Sequence, residues 1–263
     1  MKRLMLGVAA AALWAGSAHA HFQLVHTPEV NLARPAEVPF ALVFWHPMDN
    51  GYAMDMGEPE AFFHVFRGER TDLLDTLEPA TFQSAENTAK AYKATVPVRR
   101  AGDYVFVVEP APYYEESEDI YIQQITKSYV NRGGLPTGWS EPVGVATEIV
   151  PLNKPTNVLA GSTFSGVVMG DGEPVPGIEV EIEYLTVEPD VGAMTVGEAE
   201  PVVAEPPGGT LVAVTDADGR FTFGIPRAGF WGFAALGSGP ETEHEGKELS
   251  QDAVLWVRAH ALQ

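Results

Sequence analysis

The chain has 263 residues, a formal net charge of −20 and no cysteine. So acidic a chain excludes nucleic acid as a natural partner, because that binding rests on Lys and Arg neutralising phosphates, and it argues against docking on anionic lipid headgroups. Without thiols there is no disulfide framework, and any transition metal must be held by His, carboxylate, Met or backbone groups.

Residues 1–20 have the layout of a secretory signal. Lys2 and Arg3 precede an apolar run from Leu4 to Gly16, and Ala18-His19-Ala20 is an A-x-A-type cleavage site. The apolar run is too short for a membrane span, which needs about 20 residues. Cleavage before His21 predicts a periplasmic protein whose first residue is histidine. A free α-amine titrates at about 8, so amine and imidazole of one residue together form a chelating corner, and imidazole favours nickel, copper, zinc or iron. A cut after Ala18 is the alternative. It would leave His19-Ala20-His21, with histidine third from the amine, a square-planar chelator that releases its metal slowly.

Beyond the signal, 26 glycines and 21 prolines punctuate short Val/Ile/Phe/Tyr-rich runs, which predicts an all-β protein. Expected strands in the first part, residues 21–155, are 39–45, 61–67, 91–97, 102–109 and 121–131, the last long enough to admit a helical turn. Residues 132–155 carry few signals beyond Gly and Pro breaks and are taken as crossing chain and linker, with the boundary at Asn153-Lys154-Pro155-Thr156. In the second part, residues 156–263, strands are expected at 163–169, 178–185, 210–215, 220–225, 230–236 and 253–258. In the 178–185 run the alternation puts Ile178, Val180, Ile182 and Tyr184 on one side and Glu179, Glu181 and Glu183 on the other. The segments 187–209 and 237–250 read as loops, the first acidic and rich in Pro and Gly. Short strands separated by turns predict two β-sandwich domains.

Four of the histidines beyond the signal, His21, His26, His46 and His64, fall close to the expected new N-terminus. His46 ends the 39–45 run and is followed by Pro47, which holds it extended and ends sheet pairing, so it stands at a strand mouth. His64 lies mid-strand on the side of Phe62 and Phe66, which also fits a half-buried core histidine. Between them, Met54 and Met56 flank Asp55. They serve either as core cover or as thioether ligands that would favour copper(I), whereas His, amine and carboxylate suit nickel(II), cobalt(II) or copper(II). Tyr113-Tyr114-Glu115-Glu116 begins an acidic aromatic patch, a solvated loop or a cation funnel beside the site.

No phosphate loop, G-x-S-x-G or H-E-x-x-H occurs, so a conventional hydrolytic enzyme has no support. Asp216-Ala217-Asp218-Gly219 resembles the start of an EF-hand loop, but Arg220 and Arg227 stand where oxygen ligands are needed, and a hairpin turn explains it better.

The stretches AHAHFQLV, LVFWHPMDNGYAMDMGEPEAFF, GDYVFVVEPAPYYEESEDIYIQQITKSYVN and GVATEIVPLNKP resemble the NikK-like periplasmic proteins that accompany energy-coupling-factor nickel/cobalt transporters. The second half is similar to that family's carboxy-terminal part, which looks like a prealbumin or Cna-B type sandwich. The resemblance implies a non-enzymatic nickel or cobalt carrier, copper being possible, that delivers its cargo to membrane transporter subunits. It implies His21 and His46 as the metal positions and leaves His26 and His64 in doubt. The candidate ligand set is therefore His21, His46, His64, His26, Met54 and Met56. Two alternatives stand beside it: a copper oxidative enzyme built on an N-terminal histidine, and a surface or carbohydrate-binding module using Trp139, Trp231 and Trp256.

Overall fold

A computed structural model describes residues 21–196 and 210–262. The expected signal segment and most of the acidic 187–209 loop lie outside these residues. The described residues are almost entirely strand and turn, with a single 3-10 turn at Leu74–Thr76.

The first half contains β1 (Phe22–His26), β2 (Asn31–Leu32), β3 (Ala36–Trp45), β4 (Ala53–Met54), β5 (Pro59–Phe66), β6 (Glu69–Asp72), β7 (Glu78–Gln83), β8 (Thr88–Val98), β9 (Gly102–Pro110), β10 (Tyr113–Glu115) and β11 (Ile120–Arg132). The second half contains β12 (Thr147–Pro151), β13 (Val158–Leu159), β14 (Thr163–Gly170), β15 (Glu173–Pro174), β16 (Glu179–Tyr184), β17 (Leu211–Val214), β18 (Arg220–Gly224), β19 (Gly229–Ala235), β20 (Glu243–His244) and β21 (Lys247–His260).

These strands form an all-β sandwich in three sheets. A long central sheet runs β17-β16-β19-β21-β11-β9-β5-β6. A smaller sheet, β1-β3-β8-β7 with β4 on β3, covers its first-half end, and β12, β14, β15 and β18 cover its second-half end. The two halves meet within the central sheet, where β11 and β21 pair in parallel from Tyr121↔Leu249 to Lys127↔Leu255.

Alternation sorts the apolar side chains into three cores. Val38, Phe40, Leu42 and Phe44 of β3 pack on Phe62, Phe106 and Val108 of the central sheet. The opposite side of β3, Val43 and Trp45, joins Phe22 and Leu24 against Phe230, Ala234 and Trp256. On the far face, Phe164, Val168 and Phe221 cover Ile182, Phe233 and Leu255. β1 therefore lies between two cores and is buried along its whole length.

Several expectations shift. The 121–131 segment is strand throughout, with no helical turn. Within the supposed linker, Thr147–Pro151 forms β12 and pairs with β14, so this stretch joins the second half's covering sheet. The supposed 237–250 loop contains the first four residues of β21. The glutamate side of β16 falls opposite the apolar side as expected, and at Glu183 it is covered as well: that residue is 7% exposed, because the turn after His46 packs there and Met48 N–H donates to its carboxylate. Trp231 and Trp256 are buried in the cores and offer no platform.

Candidate metal centre

β1 and β3 are antiparallel in the register Phe22↔Trp45 to His26↔Ala41. One step further along this ladder sets His21 opposite His46. Because alternate residues share a face, both imidazoles fall on the side of Phe44. The rings meet edge to face with centroids 4.6 Å apart.

Neighbouring segments fix both residues. Beyond His46 the turn closes on itself: Gly51 N–H donates to the His46 carbonyl at 3.1 Å, and Trp45 Nε1 donates to the Gly51 carbonyl at 2.8 Å. Thr186 Oγ1 donates to the Pro47 carbonyl at 2.8 Å, so the second half holds this turn as well. β1 has β3 on one side only, and side chains satisfy its other edge. Gln124 Nε2 donates to the His21 carbonyl at 2.8 Å, Gln23 N–H donates to Gln124 Oε1 at 2.7 Å, and Trp256 Nε1 donates to the Gln23 carbonyl at 2.9 Å.

A carboxylate and two phenols complete the surroundings. Glu115 Oε2 lies 3.2 Å from His21 Nε2. Its Oε1 accepts from Ser117 N–H at 3.0 Å and Ser117 Oγ at 2.6 Å. Burial pushes the Glu115 pKa up, but these bonds and the His21 imidazole outweigh it and hold the carboxyl below its ordinary value. The Tyr52 ring lies 4.5 Å from that of His46, and Tyr113 lies 6.4 Å from His21. Burial first, then the Glu115 charge, raises both phenol pKa values. Both tyrosines therefore stay neutral near pH 7, and they line the corner without adding charge.

The other expected ligands lie elsewhere. His26 points to the opposite side of β1, 4.9 Å edge to face from Phe230, and burial with nearby Arg258 lowers its pKa to about 3. His64 packs on Tyr104 and Phe106, and burial lowers its pKa. A pocket that it shares with Arg99 and Arg100 is separate from the His21–His46 corner. Met54 and Met56 are buried in the β3 core, where Met56 Sδ lies 3.4 Å from Gln23 Nε2. The structure thus brings together two of the six candidates. It adds Glu115, which the sequence flagged only as part of an acidic patch, and Gln124, which nothing local marks.

Among the described residues no group of three or more His, Asp and Glu side chains is spaced to hold a metal ion. The side chains alone form a two-imidazole corner with an adjacent carboxylate, and a closed cage is not formed. Such a corner can accept a cation or pass protons between His21 and Glu115.

Among curated proteins, no sequence matches the chain. Solved structures similar to it include the D0-D1 domain of intimin, 11% identical over 89% of this chain and 95% of that one, with a TM-score of 0.22. The fibronectin(III)-like modules of Clostridium thermocellum CbhA are 8% identical over 91% of this chain and 95% of that one, with a TM-score of 0.21. At these scores neither likeness carries an argument about function. The family model described as Domain of unknown function (DUF4198) matches residues 18–239, and the chain belongs to that family.

Proposed function

We propose that this protein is a periplasmic carrier of nickel(II) or cobalt(II), bound at the corner formed by His21 and His46 and handed to a membrane uptake transporter. The observation that carries this reading is the pairing of the two imidazoles across β1 and β3, with Glu115 against His21. In the full chain the His21 nitrogen is a peptide nitrogen. Signal cleavage before His21 would turn it into an amine, supplying the nitrogen ligand that the side chains lack. Imidazole and amine ligands suit nickel, cobalt and copper. An open corner exchanges its metal more readily than a closed four-ligand cage, which suits delivery. The handover partner rests on the resemblance to the NikK-like proteins.

A second reading is a copper oxidative enzyme. It is favoured by the pairing of His21, the expected new N-terminus, with His46, since copper(II) takes tetragonal sites of N and O ligands.

The test is metal titration of the processed protein starting at His21, beside the same protein with one extra residue before His21 and beside His46→Asn. Uptake of one nickel or cobalt ion, weakened at least about 10-fold in both altered proteins, supports the carrier. Copper uptake with peroxide production from a reductant selects the enzyme. No uptake of any of these metals ends both readings.

A further inference from the structure

The chain from His21 to Leu32 runs beside β11, yet it bonds to β11 through the backbone only at its far end. There Asn131 N–H donates to the Val30 carbonyl and Gly133 N–H to the Leu32 carbonyl, both at 2.8 Å. At the near end the Gln124 side chain bridges the gap. Between these fastenings the two segments part, and a polar wedge is left inside the protein. His26 Nε2, Thr27 Oγ1 and Ser128 Oγ are buried there, and none of the three atoms has a hydrogen-bond partner within the protein. All three residues line one small cavity, with about 10 Å³ for the centre of a water-sized molecule. The wall is otherwise mostly apolar, apart from Arg258, whose guanidinium lies over the Phe230 ring and donates to the Pro28 carbonyl.

Buried polar atoms without partners are rare, and three on one cavity call for a common one. A buried water needs room for one molecule and two to four polar partners. Among the described residues the lining holds no carboxylate and includes the Arg258 guanidinium, so one imidazole and two neutral hydroxyls there do not make a cation site. We infer that the wedge between β1 and β11 binds a single internal water, bridging His26 Nε2, Thr27 Oγ1 and Ser128 Oγ. The water links the two segments through their side chains where they make no backbone bond.

Thermal unfolding of Thr27→Val and Ser128→Ala tests this by the sign of its result. Thr27→Val is nearly isosteric, and Ser128→Ala deletes only the hydroxyl. If the water is bound, each variant deprives it of a partner and Tm falls by about 2–4 °C. If the cavity is dry, removing an unpaired hydroxyl leaves Tm unchanged or raises it, and the proposal fails. A water-selective nuclear Overhauser effect from the Thr27 methyl group is expected in the wild type, and its absence would also overturn the site.

A second inference rests on the proposed metal reading and on a different observation. Gln124 and Asp252 are register partners in the parallel β11–β21 pair. Gln124 Nε2, which donates to the His21 carbonyl, lies 3.3 Å from Asp252 Oδ2. Asp252 Oδ1 accepts from Ser250 Oγ at 2.6 Å and Gly237 N–H at 2.8 Å. The structure assigns Gln124 as the positioning residue for His21, with Asp252 fixing the amide from behind. Through this chain the second half of the molecule sets the geometry of the metal corner.

Gln124→Met keeps the side-chain volume and removes the bonds to His21, Gln23 and Asp252. Three measurements apply: amide exchange at Gln23, nickel affinity, and the visible spectrum of bound cobalt(II). Faster Gln23 exchange, affinity weakened about 10–100-fold and an altered cobalt spectrum support the role. Faster exchange with affinity and spectrum unchanged reduces Gln124 to a structural residue and overturns it. A wild-type protein that takes up no metal removes the proposed function itself, and this role with it, whatever the exchange result.

Discussion

Lys127 Nζ lies 2.6 Å from Glu148 Oε2 in a pair whose side chains are 1% and 3% exposed. The Glu148 carboxylate also accepts from Val143 N–H and Gly144 N–H, at 3.0 and 2.9 Å. Burial lowers the Lys127 pKa, and the Glu148 charge opposes that shift. The pair ties β11 of the central sheet to β12 of the covering sheet. Removing one partner strands the other charge, so Lys127→Met is expected to cost about 3–5 kcal/mol. Lys127→Met with Glu148→Gln should cost less than the single change, despite weaker bonds to Val143 and Gly144. Urea unfolding of the three proteins gives both numbers, and a double variant worse than the single would contradict this account.

At the metal corner, Glu115→Gln keeps the shape and removes the negative charge beside His21. Nickel affinity is expected to fall about 10-fold, with little change in thermal stability, because Ser117 can still donate to the amide oxygen. Titration calorimetry checks the first part and a melting curve the second.

Stability should respond to pH from two opposite directions. Burial, with Asp252 and Glu179 nearby, raises the Glu181 pKa from 4.5 to about 7. The unfolded carboxyl then releases its proton before the folded one, so stability is lost as pH rises from 4.5 through about 7. His26 works the other way. Its folded pKa of about 3 lies below the ordinary value of 6.5, so its contribution is full above pH 6.5 and is lost as pH falls through about 3. Against wild type, Glu181→Gln should flatten the neutral side of a Tm-against-pH curve, and His26→Gln the acid side. Difference curves with the two windows exchanged would refute the assignment.

Gly232 connects packing to the site. A Cβ there would meet the Trp256 ring at 2.8 Å and Phe22 at 3.0 Å. Trp256 Nε1 is also the group that holds the Gln23 carbonyl. Gly232→Ala is expected to push the indole against β1, at a cost of about 1–3 kcal/mol by overpacking, and to weaken metal binding as well. An alanine variant with wild-type melting and affinity would show that the indole moves aside freely.

Much of the strand pattern was legible because alternation and Gly/Pro punctuation are local signals. The runs expected at 39–45, 102–109 and 220–225 lie within or almost within β3, β9 and β18. His46 could be picked out because Pro47 follows it, and His21 because a cleavage-like junction precedes it. Glu115 and Gln124 were less visible, since they lie 94 and 103 residues from His21 and only the folded sheets bring them near. The start of β21 looked like loop because Lys247 to Asp252 is mainly polar. Its polar groups are paired inside the sheet, Gln251 Nε2 donating to Gln123 Oε1 at 2.8 Å. A polar stretch can form a buried strand when its partner strand is polar at the same level, and local reading cannot see that partner.

The parallel seam between β11 and β21 has one more consequence. Severing the chain near residue 155 would leave each fragment with an unzipped row of amides and carbonyls, from Tyr121 to Lys127 on one and from Leu249 to Leu255 on the other. Such bare margins recruit foreign strands. Neither fragment is expected to stay dispersed alone, and mixing the two should restore solubility to both.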